Sequence, residues 1–391
     1  MDNPFNPNQP AAARFFANRA IEQRWLRTHT LPSLSPGSAG PQNTAILGPW
    51  GVGKTSLAYR FRILSETAPF PVVSVFFSCT TGYGDLLGFA DALVAAVADE
   101  INQRKDWPQR LREEVLQWRV SVYLPLVHAS RQSARQDQAV SAAEVLRRGL
   151  RDLWVRYLAE QGAGAALVLD DIQALQAMDS QALLILRAIF QDLHLAGARY
   201  GLIVTGPASL FEDIRDAAEP VTRFFERLNL KPFARQDLAD AVCQPLKAVN
   251  APFTVPTSFL DWLWARTAGH PYFVSFIMRG IVAAADEGRW DSLSPQGVAQ
   301  AWPEIATRLQ QDRFDVDWGA ATRSERDILH EIAATPPGQP FRAAESPGLN
   351  RGLLSRLTKK GLVVRTDRGE YTLYHPLFAQ YVQQLKNPAG P

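Results

Sequence analysis

The sequence predicts an α/β chain: a parallel sheet covered by helices on both faces, followed by an all-helical stretch and then a helix, helix, ribbon module. Three observations carry this. Apolar runs rich in β-branched residues alternate with helical periodicities between residues 44 and 232, as a buried parallel sheet requires. A glycine-rich turn, "GPWGVGKT", joins the first such run to the first helical pattern. After Pro232 the strand signals stop, and only helical patterns and turns remain until about residue 360.

The elements follow in order. Residues 1–17, with three prolines in the first ten, are expected to be irregular. "NRAIEQRWLRTH" reads as a short helix with Ile21, Trp25 and Leu26 on one side, and "LPSLSPGSAGPQ" as a linker. "TAILG" and "FPVVSVFFSCT" read as strands. Helices are expected near 85–101, 107–123 and 140–161, then a strand at "GAALVLDDI". "SQALLILRAIFQDLHLAG" is a helix expected to use Ser180 as N-cap and Gly197 as its stop. "RYGLIVTGP" and "ERLNLKPF" are the remaining strands. Residues 234–312 read as helices punctuated at "GHP" and "LSPQG". "TRSERDILHEIAATPPG", "NRGLLSRLTKKG" and "LVVRTDRGEYTLYHP" read as a winged helix-turn-helix. The expected domains are 1–43 (N-terminal segment and linker), 44–233 (core, with a helical insertion at 101–160), 234–315 (helical lid) and 316–391 (winged helix).

Composition excludes several classes. The 391 residues are 46% hydrophobic and 20% charged, an ordinary globular balance for two or three domains. The net charge of +2 announces no nucleic-acid binding in bulk. Two distant cysteines, Cys79 and Cys243, and six scattered histidines suggest neither a disulfide framework nor a zinc site. The most apolar segment, "YFVSFIMRGIVAAA", is interrupted by Arg279, so no membrane span is expected, and a cytoplasmic setting is the default.

The turn Gly48-Pro49-Trp50-Gly51-Val52-Gly53-Lys54-Thr55 fits the P-loop (Walker A) pattern. Its glycines let successive backbone N–H groups face a phosphate, and a helix starting at Lys54 aims its positive end at the same anion. Lys54 is expected to hold the β- and γ-phosphates and Thr55 to bind Mg²⁺, with Ser56 next in the same turn; ATP and Mg²⁺ are the implied cofactors. "AALVLDDIQAL" sets Asp170 and Asp171 at the end of a buried strand, where ligands bind in open α/β sheets. Asp170 is expected to hold Mg²⁺ through water and Asp171 to polarise an attacking water.

The strand "VVSVFF", between the P-loop helix and the Asp170 strand, resembles the ASCE class of P-loop proteins, which includes the AAA+ and STAND ATPases. That resemblance implies a γ-phosphate-sensing residue at the end of the next strand, here Thr205. "NPFNPNQP" and "FFANRAIEQRWL" are similar to the opening of STAND-type and origin-recognition-like ATPases. There the segment covers the adenine, which implies roles for Phe16 and Arg19; Asn18 stands where the family usually has glycine. "RFFERLNLKPFARQDLADAV" is similar to the family's passage into its lid, which makes Arg223 and Arg227 candidates for an arginine finger. "TAGHPYF" is similar to a lid element that contacts nucleotide and points to His270 and Pro271. Many AAA+ enzymes have glutamate at position 171; the shorter aspartate implies slow turnover.

Residues 320–391 hold ten Lys and Arg against six Asp and Glu, and 101–160 hold eleven against seven. Arg351, Arg356, Lys359, Lys360, Arg365 and Arg368 could meet a duplex through recognition helix and wing; packing inside the chain is the other reading. Leu353, Leu354 and Leu357 are core positions either way. The resemblance implies an oligomerising ATPase switch that controls a protein effector in trans, as in defence or signalling. The alternatives are a DNA-bound AAA+ regulator of replication or transposition, and a scaffold that binds ATP without hydrolysing it.

Overall fold

A computed structural model describes residues 1–80, 82–133, 138–211, 219–336 and 338–386. The chain divides into two compact units. The sheet unit comprises Arg19–Gly48 and Gly53–Leu230; the helical unit comprises Met1–Asn18, Pro49–Val52 and Lys231–Pro391.

The sheet unit is built on five parallel strands: β1 (Asn43–Leu47), β2 (Val72–Ser78), β3 (Gly164–Asp170), β4 (Tyr200–Gly206) and β5 (Phe225–Asn229). Their order is β2-β3-β4-β1-β5, so β4 lies between the strand that leads into the glycine turn and the strand that ends in Asp170. All of β1, β3 and β4 is buried, as continuous apolar runs require when both sheet faces are covered. The edge strand β5 exposes Glu226, Arg227 and Asn229, and charge on an edge discourages pairing with another chain.

The helix Leu86–Gln103 is capped by Asp85, whose Oδ1 accepts the Gly88 N–H at 2.7 Å. It packs against Gln138–Leu153, and the insertion helices share the hydrophobic core of the sheet. The linker expected at 31–42 is partly structure. Leu31–Ser33 is helical, and Leu34 is fully buried. A Cβ on Gly164 would stand 2.8 Å from Leu34 Cβ, and one on Gly201 2.6 Å from Leu34 Cδ2. Leu34 therefore closes the end of the sheet, a tertiary role its proline- and glycine-rich neighbourhood hides.

Two further expectations are corrected. Ile21 is 83% exposed while Leu26 is fully buried, because the helix Ala20–Trp25 turns Ile21 outward. Ser180 is not the N-cap of the helix Ala182–Leu195: Asp179 Oδ1 accepts the Gln181 N–H at 2.7 Å and the helix begins two residues after Ser180. Gly197 does end it, with φ +83° and its N–H bonded to His194 O at 2.9 Å.

In the helical unit, helices Arg235–Ala248, Thr257–Thr267, Pro271–Glu287 and Pro295–Leu309 are followed by Arg323–Ala333, Arg351–Lys359 and Pro376–Lys386. A small antiparallel sheet joins β6 (Phe341–Arg342), β7 (Val363–Asp367) and β8 (Glu370–Leu373) in the order β6-β8-β7. One hydrophobic cluster runs from Leu238 to Val382 and takes in Phe5, so the first residues are anchored there although their backbone is mostly irregular. Leu354 and Leu357 are buried and Leu353 half-buried. No helix among the described residues is long and apolar enough to cross a membrane.

Candidate nucleotide site

The strand β1 ends at Leu47, and the helix Lys54–Glu66 begins at Lys54. Gly53, at φ +96°, makes the left-handed step into that helix, which a side chain would resist. Gly48 N–H is bonded to Gly206 O at 3.3 Å, tying the root of the turn to β4. Lys54 Nζ donates to Gly48 O at 3.1 Å. Thr55 Oγ1 lies 3.1 and 3.0 Å from the two carboxylate oxygens of Asp170. Ser56 follows on the same first turn.

Opposite this turn, Asp170 is buried at the end of β3. Thr205, fully buried on β4, donates to Asp170 Oδ1 at 2.6 Å and accepts the Asp171 N–H at 2.9 Å. Thr205 O also accepts the Ile172 N–H at 2.9 Å. These bonds hold Asp171 in a left-handed conformation, φ +56°, a region that aspartate tolerates better than most non-glycine residues. Gln173 Nε2 donates to Asp171 Oδ1 at 3.1 Å.

Burial works against both charged groups. Burial pushes the Asp170 carboxyl above its ordinary value, against the lowering pull of the bond from Thr205. Burial pushes the Lys54 ammonium below its ordinary value, against the opposing pull of Asp171 and Asp170. A polyphosphate beside Lys54 and a divalent cation beside Asp170 would relieve both. Thr55 and Asp170 present adjacent hard oxygen donors suited to Mg²⁺. No group of three or more His, Cys, Asp or Glu that could hold a metal occurs among the described residues. An ion on this pair would therefore complete its shell with water and phosphate oxygens, as magnesium commonly does.

The middle of the turn, Pro49–Val52, is grouped with the helical unit. His270 is the N-cap residue of the helix that Pro271 opens. Its Nε2 donates to Trp50 O at 3.0 Å, and Tyr272 N–H donates to Gly51 O at 3.1 Å. A Cβ on Gly51 would lie 2.9 Å from His270 Cε1 and 2.9 Å from Tyr272 Cβ, and its φ is +71°. Only glycine fits there. The Arg313 guanidinium stacks 3.7 Å from the Trp50 ring centroid and pairs with Asp317 at 2.9 Å, which also accepts the Tyr374 hydroxyl proton at 2.6 Å. Neither Arg313 nor Gln173 was legible as a site residue. Gln173 had a positional hint, two residues past Asp171; Arg313 had none.

The other candidates are placed as follows. Phe16 is half-buried in the helical unit. Arg19 is buried in the sheet unit and pairs with Glu22 at 3.6 Å. Asn18 has φ +66°, so the position usually taken by glycine keeps the backbone that glycine favours, and asparagine tolerates it well. Arg223 is exposed at the end of the helix Glu219–Phe224, and Arg227 is exposed on β5 with its guanidinium 4.7 Å from the Phe211 ring centroid. Arg351, Arg356, Lys359, Arg365 and Arg368 are exposed. Lys360 is committed elsewhere: its Nζ bonds Glu325 Oε2 at 2.7 Å and Ala320 O at 2.9 Å, and Glu325 is only 1% exposed.

The loop, the paired aspartates and the strand order have counterparts among known proteins. Residues 22–203 match the AAA ATPase domain. No curated protein matches the chain in sequence. Among solved structures, the Aeropyrum pernix ORC2 protein in ADPNP–ADP complexes is similar, with a TM-score of 0.60 at 17% identity, covering 95% of each chain. A Walker-type ATPase of Pyrococcus abyssi reaches 0.58 at 18%, covering 94% of this chain and 95% of its own. The Aeropyrum pernix ORC1 protein in complex with DNA reaches 0.50 at 16%, covering 95% and 93%. The fold is the parallel-sheet α/β P-loop NTPase fold, and residues 22–203 are similar to the AAA ATPase domain.

Proposed function

We propose that the chain is a switch ATPase of the AAA+ or STAND type that binds Mg·ATP, hydrolyses it slowly and uses the nucleotide state to control a protein partner. One observation carries this reading: Thr55, Asp170, Asp171 and Thr205 form one hydrogen-bonded set beside Lys54. Lys54 binds the β- and γ-phosphates as a point charge, and the backbone N–H groups of the glycine turn surround them. Thr55, and Asp170 through water, would hold magnesium, which would neutralise the charge that develops on the phosphate oxygens. Asp171 accepts a hydrogen bond from the attacking water, and Thr205 keeps Asp171 in place. The aspartate at 171 reaches less far than glutamate, and positioning dominates phosphoryl transfer, which favours slow turnover.

Residues 234–315 serve in this reading as lid and 316–391 as winged helix. His270 and Pro271, beside the middle of the loop, are the lid residues that respond to nucleotide. Phe16 and Arg19 belong to the adenine side. Arg223 and Arg227 are exposed and are the candidates for an arginine finger towards a neighbouring copy in a homo-oligomer. Calorimetry with Mg·ATP on the wild type and on Lys54→Ala tests the reading. Heat from the wild type alone supports it; no heat from the wild type sinks it.

A second reading is a DNA-bound regulator. It is favoured by the five exposed cations Arg351, Arg356, Lys359, Arg365 and Arg368 on one helix and ribbon, and by the relative whose structure was solved with DNA. Binding to duplex DNA across a salt series decides it. Phosphate contacts give an affinity that falls steeply with salt, and no measurable binding at low salt with ATP present removes the reading.

A further inference from the structure

Gln173 opens the helix Gln173–Met178, two residues past Asp171. Its two amide atoms are used differently. Nε2 donates to Asp171 Oδ1 at 3.1 Å. Oε1 is shielded from bulk solvent and has no hydrogen-bond partner among the described residues. A shielded amide carbonyl is normally satisfied, by protein or by an ordered water, so an orphan beside a reactive carboxylate marks a place where a donor belongs.

The neighbours narrow what that donor is. The Thr205 hydroxyl proton goes to Asp170, and its oxygen takes the Asp171 N–H. Thr55 gives its proton to Asp170. The Ile172 N–H goes to Thr205 O. The immediate hydroxyl and backbone donors are therefore spoken for, and water is the small donor that hydrolysis itself brings to Asp171. A water held by Asp171 and by Gln173 Oε1 has both protons directed to the protein, which leaves an oxygen lone pair free to face a phosphorus.

We propose that Gln173 is a positioning residue of the ATPase centre: Nε2 fixes the orientation of the Asp171 carboxylate, and Oε1 holds the second proton of the attacking water. This rests on the reading of the chain as a hydrolase. In the step, the water oxygen bonds to the γ-phosphorus, and the bond from that phosphorus to the bridging oxygen breaks. Its electron pair leaves with ADP, and Asp171 takes one water proton before passing it to the released phosphate. The arrangement supplies for the short Asp171 side chain some of the water alignment a longer carboxylate would give alone.

The test measures steady-state hydrolysis of Mg·ATP, ADP affinity, trapping of Mg·ADP with aluminium fluoride, and melting temperature. The wild type is compared with Gln173→Leu and Gln173→Ala. The expected result is kcat lower by about 10- to 100-fold in both variants, with KM and ADP affinity within about twofold and fluoride trapping weakened. Wild-type kcat in either folded variant overturns the proposal. So does a loss of kcat matched by equal losses of ADP affinity and melting temperature, which would make Gln173 structural. A wild-type protein that binds Mg·ATP and shows no turnover fails the hydrolase reading first, and that is seen before any variant is compared.

Discussion

Thr205 gives its hydroxyl proton to Asp170 Oδ1 across 2.6 Å. The same oxygen receives the Asp171 N–H, so one β4 side chain fixes both aspartates. Thr205→Val keeps the shape and removes both bonds. Leaving buried polar groups without partners costs about 1–3 kcal/mol. The variant should melt earlier in the empty state, bind ATP almost as the wild type does, and hydrolyse it more slowly. Thr205→Ser should recover most of the rate. A Thr205→Val protein with wild-type melting and turnover would show that neither bond matters.

Lys54 and stability should trade in opposite directions. Its folded-state pKa lies below the ordinary lysine value because burial disfavours the charged form. A depressed lysine pKa means that, at neutral pH, holding the proton costs the folded state more than the unfolded one. Lys54→Met therefore should raise the melting temperature of the nucleotide-free protein while abolishing its response to Mg·ATP. Thermal melts with and without nucleotide check both halves; a destabilised empty variant would contradict the burial argument.

Acid should weaken the helical unit through His375. Its Nδ1 accepts the Leu377 N–H at 3.2 Å, so the proton sits on Nε2, which donates to Thr267 O at 3.0 Å. The ring stacks 3.6 Å from Phe273. Burial pushes its pKa down to about 3, against the bond to Thr267, with His270 adding to the depression. The neutral ring's stability is complete above about pH 6.5, the unfolded value, and declines as the pH falls from there towards the folded value. The slope is about 1.4 kcal/mol per pH unit from this residue. Urea unfolding at pH 7 and pH 5 should show a larger loss in the wild type than in His375→Gln. Equal losses would remove His375 from the account.

Lys360 should report on folding and not on DNA. It faces Glu325, buried under the capping box in which Thr322 N–H bonds Glu325 Oε2 at 2.8 Å. Lys360→Ala leaves that buried carboxylate without its cation, and the loss should exceed the roughly 1 kcal/mol of a surface pair. Arg356→Ala and Arg365→Ala should leave melting unchanged and, if the module meets DNA, flatten the salt dependence of binding. A Lys360→Ala protein that melts like the wild type would argue that the pair is solvated.

The parts of this chain that were legible are local ones. A phosphate turn is a run of eight residues with a fixed geometry, and the strand before Asp170 is a continuous apolar run; each carries its meaning in a short window. Thr205 was legible as a strand end, but its two bonds depend on β4 lying beside β3, a fact of sheet order. Leu34 was hidden because a single buried leucine among prolines and glycines has no periodicity. Ile21 shows the converse error: a short helix has too few apolar residues to fix which side faces in. Ser180 had the chemistry of a cap, and Asp179, one residue earlier, had it too; nothing in the sequence ranks them. Gln173 and Arg313 are placed by contacts with residues distant in kind or in sequence, Asp171 for the one and Trp50 and Asp317 for the other, and no pattern marks such contacts.

Trp50 is 47% exposed, with the Arg313 cation over its ring and Tyr272 4.5 Å away. An indole so placed is a fluorophore whose emission depends on the cation next to it, and it sits within the residues that would wrap a triphosphate. The spectrum of the wild type minus that of Trp50→Phe isolates this one ring from the nine other indoles. That difference spectrum should shift when Mg·ATP is added, giving a label-free optical readout of loading; an unchanged difference spectrum would mean the ring is blind to it.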